Sequence, residues 1–149
     1  MISIQKQDFD HCSEYNQLRD NADSDGAIVT FTGLVRDFNQ DGSVSIIDIE
    51  HYPGMTEKSL MSICSEARNR WQLGQVKVIH RIGPIAATEQ IVFVGVSAKH
   101  RKDAFNACEF IIDYLKTSAP FWKQEGTPTG MKWVKSNTSD TEAMTRWFG

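Results

Sequence analysis

Cysteine, proline and long apolar runs are all scarce in this chain of 149 residues. The three cysteines, Cys12, Cys64 and Cys108, cannot pair off completely, and none stands in a Cys-x-x-Cys pair. That argues against a disulfide scaffold and against a cysteine-rich zinc site. Each falls on the apolar side of an expected helix and reads as a small buried hydrophobe, not a reactive thiol. Only 4 residues are proline, which fits neither a collagenous nor a low-complexity chain. The longest nearly uncharged apolar run, Ile91 to Ala98, is too short to span a bilayer. The segment Met1-Ile2-Ser3-Ile4-Gln5-Lys6 lacks the basic start and apolar stretch of a signal peptide, so a cytoplasmic location is expected. Gly-x-Gly-x-x-Gly, a Walker loop and Gly-x-Ser-x-Gly are absent. His11, His51 and His80 show no metal-ligand spacing, and no metal or cofactor is expected. A net charge of −3 gives no global attraction to nucleic acid or anionic membrane.

What is present is the composition of a folded globular chain, 40% hydrophobic and 23% charged. The length suits one domain, residues 1–149, with its own core. Ile2 and Ile4 alternate with polar residues and suggest a short first strand. Phe9, Cys12, Tyr15 and Leu18 have helical spacing, and Asn21 to Gly26 reads as a loop. Ala27 to Val35 is β-branched and aromatic, hence a strand; Asp37 to Ser43 is turn-forming, and Val44 to Tyr52 alternates as a second strand. Thr56 is placed to cap a helix that runs to about Trp71 and is stopped by Gly74. Val76 to Ile82 reads as a strand ending at the Gly83-Pro84 turn, and Gln90 to Ala98 as a strand covered on both faces. Arg101 to Leu115 is a helix with Ala104, Phe105, Cys108, Ile111, Ile112 and Leu115 inward, closed off by Pro120. Gly126 to Gly130 reads as a turn and Met131 to Val134 as a last short strand. Thr138 to Trp147 reads as a closing helix with Ala143, Met144 and Trp147 inward. The class is α+β, a mixed β-sheet with packed helices.

Positive charge is concentrated. From Lys99 to Lys135 there are seven bases and four acids, a local +3 that leaves the other nine bases and fifteen acids at −6. A cationic island in an acidic chain suits a small anionic ligand better than a polymer. Lys99-His100-Arg101-Lys102 lies where a buried strand meets a helix start, where unpaired N–H groups favour an anion. Basic residues are unfavourable there unless an anion binds, so His100 and Arg101 are candidate ligand groups. Arg36 follows a strand; arginine grips phosphate through two parallel bonds, but alone it reads as a surface residue. Lys116 has two readings: compensation of the helix dipole with pairing to Asp113, or one of a close lysine pair with Lys123. In the second reading Phe121 and Trp122 anchor a proline-aromatic loop that holds Lys123 near Lys116, and lysines so placed can move protons near neutral pH.

Taken in order, Phe31-Thr32-Gly33 with Val35-Arg36, Ile49-Glu50-His51-Tyr52 with Met55, His80-Arg81-Ile82-Gly83, His100-Arg101, and Lys116 through Pro120-Phe121-Trp122-Lys123 resemble the catalytic (large) subunit family of molybdopterin synthase, from about Ala27 to Trp147. The resemblance implies an α/β hammerhead fold and a sulfurtransferase in molybdenum cofactor biosynthesis. It implies transfer of two sulfurs to cyclic pyranopterin monophosphate, making the dithiolene of molybdopterin. The sulfur would come from a small ubiquitin-like partner whose C-terminal Gly-Gly ends in a thiocarboxylate. Two large subunits would form a homodimer inside a heterotetramer. Carried over by position, Lys116 and Lys123 would be catalytic, Arg36, His100 and Arg101 would hold the phosphate and pterin, and Leu34, Val35, Gln124 and Glu125 would line the pocket. One departure stands out. Some members carry an arginine after the late Trp-Val pair, contributed across the dimer, whereas Trp133-Val134 here is followed by Lys135, Ser136 and Asn137. The competing reading is a non-catalytic module that binds a small phosphorylated metabolite; another is an interaction protein using Trp122, Trp133 and Trp147.

Overall fold

The apolar run Gln90–Ala98 forms strand β6, buried on both faces from Ile91 onward, and the rest of the fold is layered around it. A computed structural model describes residues 1–36, 46–127, 130–133 and 138–148, the side chains of 125–127, 130–133, 138, 139 and 141 excepted. Strand β1 (Ile2–Gln5), helix α1 (His11–Asp20), strand β2 (Ala27–Leu34), strand β3 (Ile46–His51) and helix α2 (Met55–Arg70) come first. Strand β4 (Leu73–Arg81), strand β5 (Gly83–Ala86) and β6 follow, then helix α3 (Arg101–Ser118). Strand β7 (Phe121–Thr127), strand β8 (Gly130–Trp133), helix α4 (Thr138–Met144) and a 3-10 turn (Thr145–Trp147) close the chain.

The expected mixed sheet has the order β1-β4-β6-β2, with β1 parallel to β4 and the other neighbours antiparallel. A second sheet, β5-β3-β7-β8, is antiparallel throughout. Helices α2 and α3 cover one face of the first sheet, where Leu60, Ala67, Val78, Val94, Val96, Phe110 and Ile111 form the main core. On the other face α1 closes a smaller cluster of Phe9, Leu18, Ile79 and Phe93. The aromatic rings of Trp71, Phe110 and Trp147 meet edge to face at 5.4–5.6 Å and seat the C-terminal turn on α2 and α3. Among the described residues no helix is long and apolar enough to cross a membrane.

Several local expectations need correction. Thr56 does not cap α2. Gly54, at φ +87°, makes the entry turn, and the Glu57 carboxylate accepts its N–H. Gly74 lies inside β4 rather than at the helix end, because α2 is already capped at Trp71, which turns into extended backbone. Gly83–Ala86 is a strand, since β3 pairs with it. The proline-aromatic segment is likewise a strand: Phe121 and Lys123 pair with His51 and Ile49. Phe105 is 60% exposed, and the inward stripe of α3 instead takes in Ala107 and Phe110. Cys12 is exposed, whereas Cys64 and Cys108 are buried as expected. Asp113 does not serve Lys116 in the way expected; its Oδ2 accepts from Trp147 Nε1 at 2.6 Å. The turn at Asp37 to Ser43 and the start of the next strand at Val44 lie outside the described residues, as do Val134, Lys135 and Asn137.

Candidate functional site

The β6–α3 junction is built as the sequence suggests. Ser97 and Ala98 are buried, then Lys99, His100, Arg101 and Lys102 emerge at the start of an 18-residue helix. His100 holds the capping position in extended backbone, yet its side chain makes no capping hydrogen bond, so the imidazole remains available to a ligand. An open pocket of about 450 Å³ is lined by Gly26, Lys99, His100, Arg101 and Lys102. Gly26 is required by close approach: its N–H donates to Ala98 O at 3.0 Å, and a Cβ there would stand 2.7 Å from the Lys99 carbonyl. Four basic side chains and unpaired helix N–H groups therefore face one concavity, a fit for phosphate or carboxylate.

The other candidate cations lie elsewhere. Ala27 pairs with Ala98 and Leu34 pairs with Gln90, so Arg36 and the His100-Arg101 pair sit at opposite ends of the β2–β6 ribbon. At the usual rise per strand residue the two ends are about 25 Å apart. Helix α3 runs back along that ribbon, and from Arg101 in its first turn to Lys116 in its last is roughly 22 Å. A single protomer therefore does not gather Arg36, Arg101 and Lys116 into one pocket. It makes two groups: His100 and Arg101 at one end, and Arg36, Lys116 and Lys123 at the other.

The second group has a defined frame. Val35 is in the core at 2% exposure, and its N–H and C=O bond to Glu89 O and Thr88 N at 2.9 and 2.7 Å, which fixes the root of Arg36. Val35 can thus line a pocket only through its backbone, whereas Leu34 is 54% exposed. Lys123 shares its sheet face with Ile49 and Phe121, and Gln124, opposite Asp48, points to the other face. Glu125 has its backbone opposite Ile47 and Lys132, and its side chain lies outside the described residues. Behind the lysines sits His80, 4% exposed, its ring stacked on Phe121 at 3.8 Å and 16°. Its Nδ1 is 2.7 Å from Arg81 O, which can only accept, so Nδ1 carries the proton. Burial pushes the His80 pKa down to about 4, and the charges of Lys123, Lys116 and His51 push it the same way. His51 also lies 3.6 Å from the Glu57 carboxylate. The sequence reading set His51 and His80 aside; the signal that could have found them is their place inside the ordered motif segments. Among the described residues no group of three or more His, Cys, Asp or Glu could hold a metal ion.

A neutral buried histidine has a measurable consequence. Below about pH 6.5 the unfolded imidazole binds a proton that the native ring refuses until about pH 4. The His80 contribution is therefore complete above pH 6.5 and lost as pH falls toward 4, by up to about 3 kcal/mol. Urea midpoints measured across this window should fall, and His80→Leu should flatten that part of the curve.

The comparisons with known proteins agree over the chain. Residues 4–118 match the family model described as MoaE protein. The molybdopterin synthase catalytic subunit of Escherichia coli (strain K12) is 55% identical over 146 residues, 98% of this chain and 97% of the relative. A solved structure of the molybdopterin biosynthesis MoaE protein from Burkholderia ambifaria MC40-6 superposes with TM-score 0.85 at 47% identity, covering 99% of this chain and 97% of that one. The crystal structure of molybdopterin synthase from Staphylococcus aureus gives TM-score 0.80 at 33% identity, over 89% and 96% of the two chains.

Proposed function

This chain belongs to the MoaE family, and from that membership we propose that it is a molybdopterin synthase catalytic subunit whose working site is shared between two copies. It is a sulfurtransferase of molybdenum cofactor biosynthesis. Its substrate is cyclic pyranopterin monophosphate, and its sulfur arrives on the thiocarboxylated C-terminus of a small ubiquitin-like subunit. Residues 1–149 form one such domain, working in the cytoplasm. The observation that carries the reading is the near-complete coverage at 55% identity.

The division of those cations has a simple resolution. Strand β2 is at the edge of its sheet, with β6 on one side only. Two copies related by a two-fold axis and paired along this edge run their β2 strands antiparallel. Arg36 of one copy then approaches residue 26 of the other, beside that copy's His100 and Arg101. Phe31, 37% exposed on this strand, and Phe105, on the helix packed over it, supply apolar surface for the contact. Trp147, at 6% exposure, is committed inside the protomer, which weakens the reading of this chain as an interaction protein.

In the assembled site, His100 and Arg101 hold the phosphate and pterin from one copy, and Arg36, Lys116 and Lys123 stand over the reacting carbons from the other. The partner's tail enters beside the lysines, which pair with the thiocarboxylate and aim its sulfur. As the cyclic phosphate opens, negative charge grows on oxygen, and the guanidinium and imidazole groups stabilise it. Lys116 moves the proton, with Lys123 supporting it. Arg101→Ala is expected to weaken binding of the cyclic pterin phosphate by about 10–100-fold, the worth of one charge-assisted contact. Isothermal titration with substrate checks this, and an unchanged dissociation constant removes Arg101 from the phosphate site. The function itself is tested by incubating the chain with cyclic pyranopterin monophosphate and the thiocarboxylated small subunit and weighing the product. Tight binding without dithiolene would leave the phosphate-binding module in its place.

A further inference from the structure

Thr56 and His80 are buried polar groups that the reaction as described does not use, and both grip the chain between the two lysines. Helix α3 ends at Ser118 and β7 begins at Phe121, so only Ala119 and Pro120 link them. Phe121 N–H closes a tight turn onto Ala119 O at 2.9 Å. The Pro120 carbonyl accepts from Thr56 Oγ1 at 3.0 Å, across 64 residues of sequence. The same hydroxyl accepts from Tyr52 N–H at 2.9 Å. An N–H can only donate, so the Thr56 proton is committed to Pro120. Thr56 is 0% exposed, and Thr56 N–H donates to Tyr52 O at 2.9 Å, which ties the hydroxyl to the start of α2 and the end of β3 together. One residue further on, the Phe121 ring lies flat against His80, whose own orientation is fixed by the bond to Arg81 O.

We propose that Thr56 and His80 are positioning residues for the lysine pair, clamping Pro120 and Phe121 so that Lys123 keeps a fixed place relative to Lys116. The proposal rests on the reading of those lysines as the catalytic groups. The clamp works through two different contacts, a hydrogen bond to a carbonyl and a flat ring stack. A valine at position 56 would fill the threonine's volume while removing both bonds of its hydroxyl. The neutral state of the His80 ring suits this role, because a charged ring here would push both ammonium groups away.

The test uses the complete complex with its small subunit, comparing Thr56→Val, Thr56→Ser and His80→Leu. Thr56→Val should lower kcat about 10–100-fold, the range that misplaced reacting groups cost, and leave the substrate dissociation constant within about threefold. Thr56→Ser, which keeps the hydroxyl, should recover to within about threefold of wild type, and His80→Leu should fall as Thr56→Val does. A merely structural role would lower the unfolding temperature without this split between kcat and binding, or this rescue. Reductive methylation with carbon-13 gives a second readout: the Lys123 signal should move in Thr56→Val and return in Thr56→Ser. Wild-type kcat in Thr56→Val, or a Thr56→Ser variant as slow as Thr56→Val, overturns the clamp, as does an unmoved Lys123 signal. An inactive Lys116→Ala beside a fully active Thr56→Val rejects this inference alone; an active Lys116→Ala rejects the lysine reading and the clamp with it.

Discussion

Replacing Lys116 with alanine should reduce dithiolene formation by about 10²–10⁴-fold, the contribution of a well-placed proton-transfer group. The side chain is exposed in the last turn of α3, where a cation offsets the helix dipole. Its removal should cost at most about 1 kcal/mol of stability, so the unfolding temperature should move by only a few degrees. Loss of turnover with an intact fold and unchanged affinity for the small subunit would assign the residue to the chemistry. The measurement is single-turnover product formation by mass, with calorimetry on the same preparation. Wild-type rates would remove Lys116 from the mechanism and return it to its alternative role as a dipole-compensating surface lysine.

Mixing Lys116→Ala with Arg101→Ala should restore activity at a substrate concentration too low for the weakened Arg101→Ala site to fill. If the site takes Lys116 from one copy and Arg101 from the other, a dimer of one Lys116→Ala chain and one Arg101→Ala chain holds one site with both lesions and one with neither. Random reassortment makes half the dimers mixed, so recovery should reach about one quarter of wild type, as two-fold symmetry dictates. Were each site built within one protomer, every site in the mixed dimer would carry a lesion, and recovery would be absent. The experiment needs only unfolding and refolding of the two variants together, followed by the mass assay. It tests directly the separation of roughly 22 Å that helix α3 imposes between Arg101 and Lys116 within one chain.

The elements were legible where a period was clean. Ile91 to Ala98 is a continuous apolar run, and it became the strand buried on both faces. Ala104, Cys108, Ile111 and Leu115 marked the buried stripe of α3 correctly, because their spacing follows the helical turn. The width of such a stripe is not encoded in spacing. Phe105 sits at its margin and faces outward, while Phe110 turns in to meet Trp71 and Trp147 from distant parts of the chain. Cys12 fails for the same reason: α1 covers only a small cluster, and its cysteine lies off the covered side. One of the two readings of Lys116 pairs it with Asp113, three residues away, but that carboxylate takes Trp147, 34 residues on.

Residue chemistry alone determined that this chain is α+β, that its cations gather in one stretch, and that a compact anion suits them. Local sequence carries those properties, because periodicity, turn residues and charge act over a few positions. Only the tertiary structure decided which cations stand together, since β2 and α3 both run antiparallel to β6 and so carry Arg36 and Lys116 to one end and leave His100 and Arg101 at the other. Strand register and helix length set those distances, and neither can be read from the order of the residues. The same holds for the grip of Thr56 and His80 on the link between the lysines, which exists only because β3, α2 and β4 are folded against it.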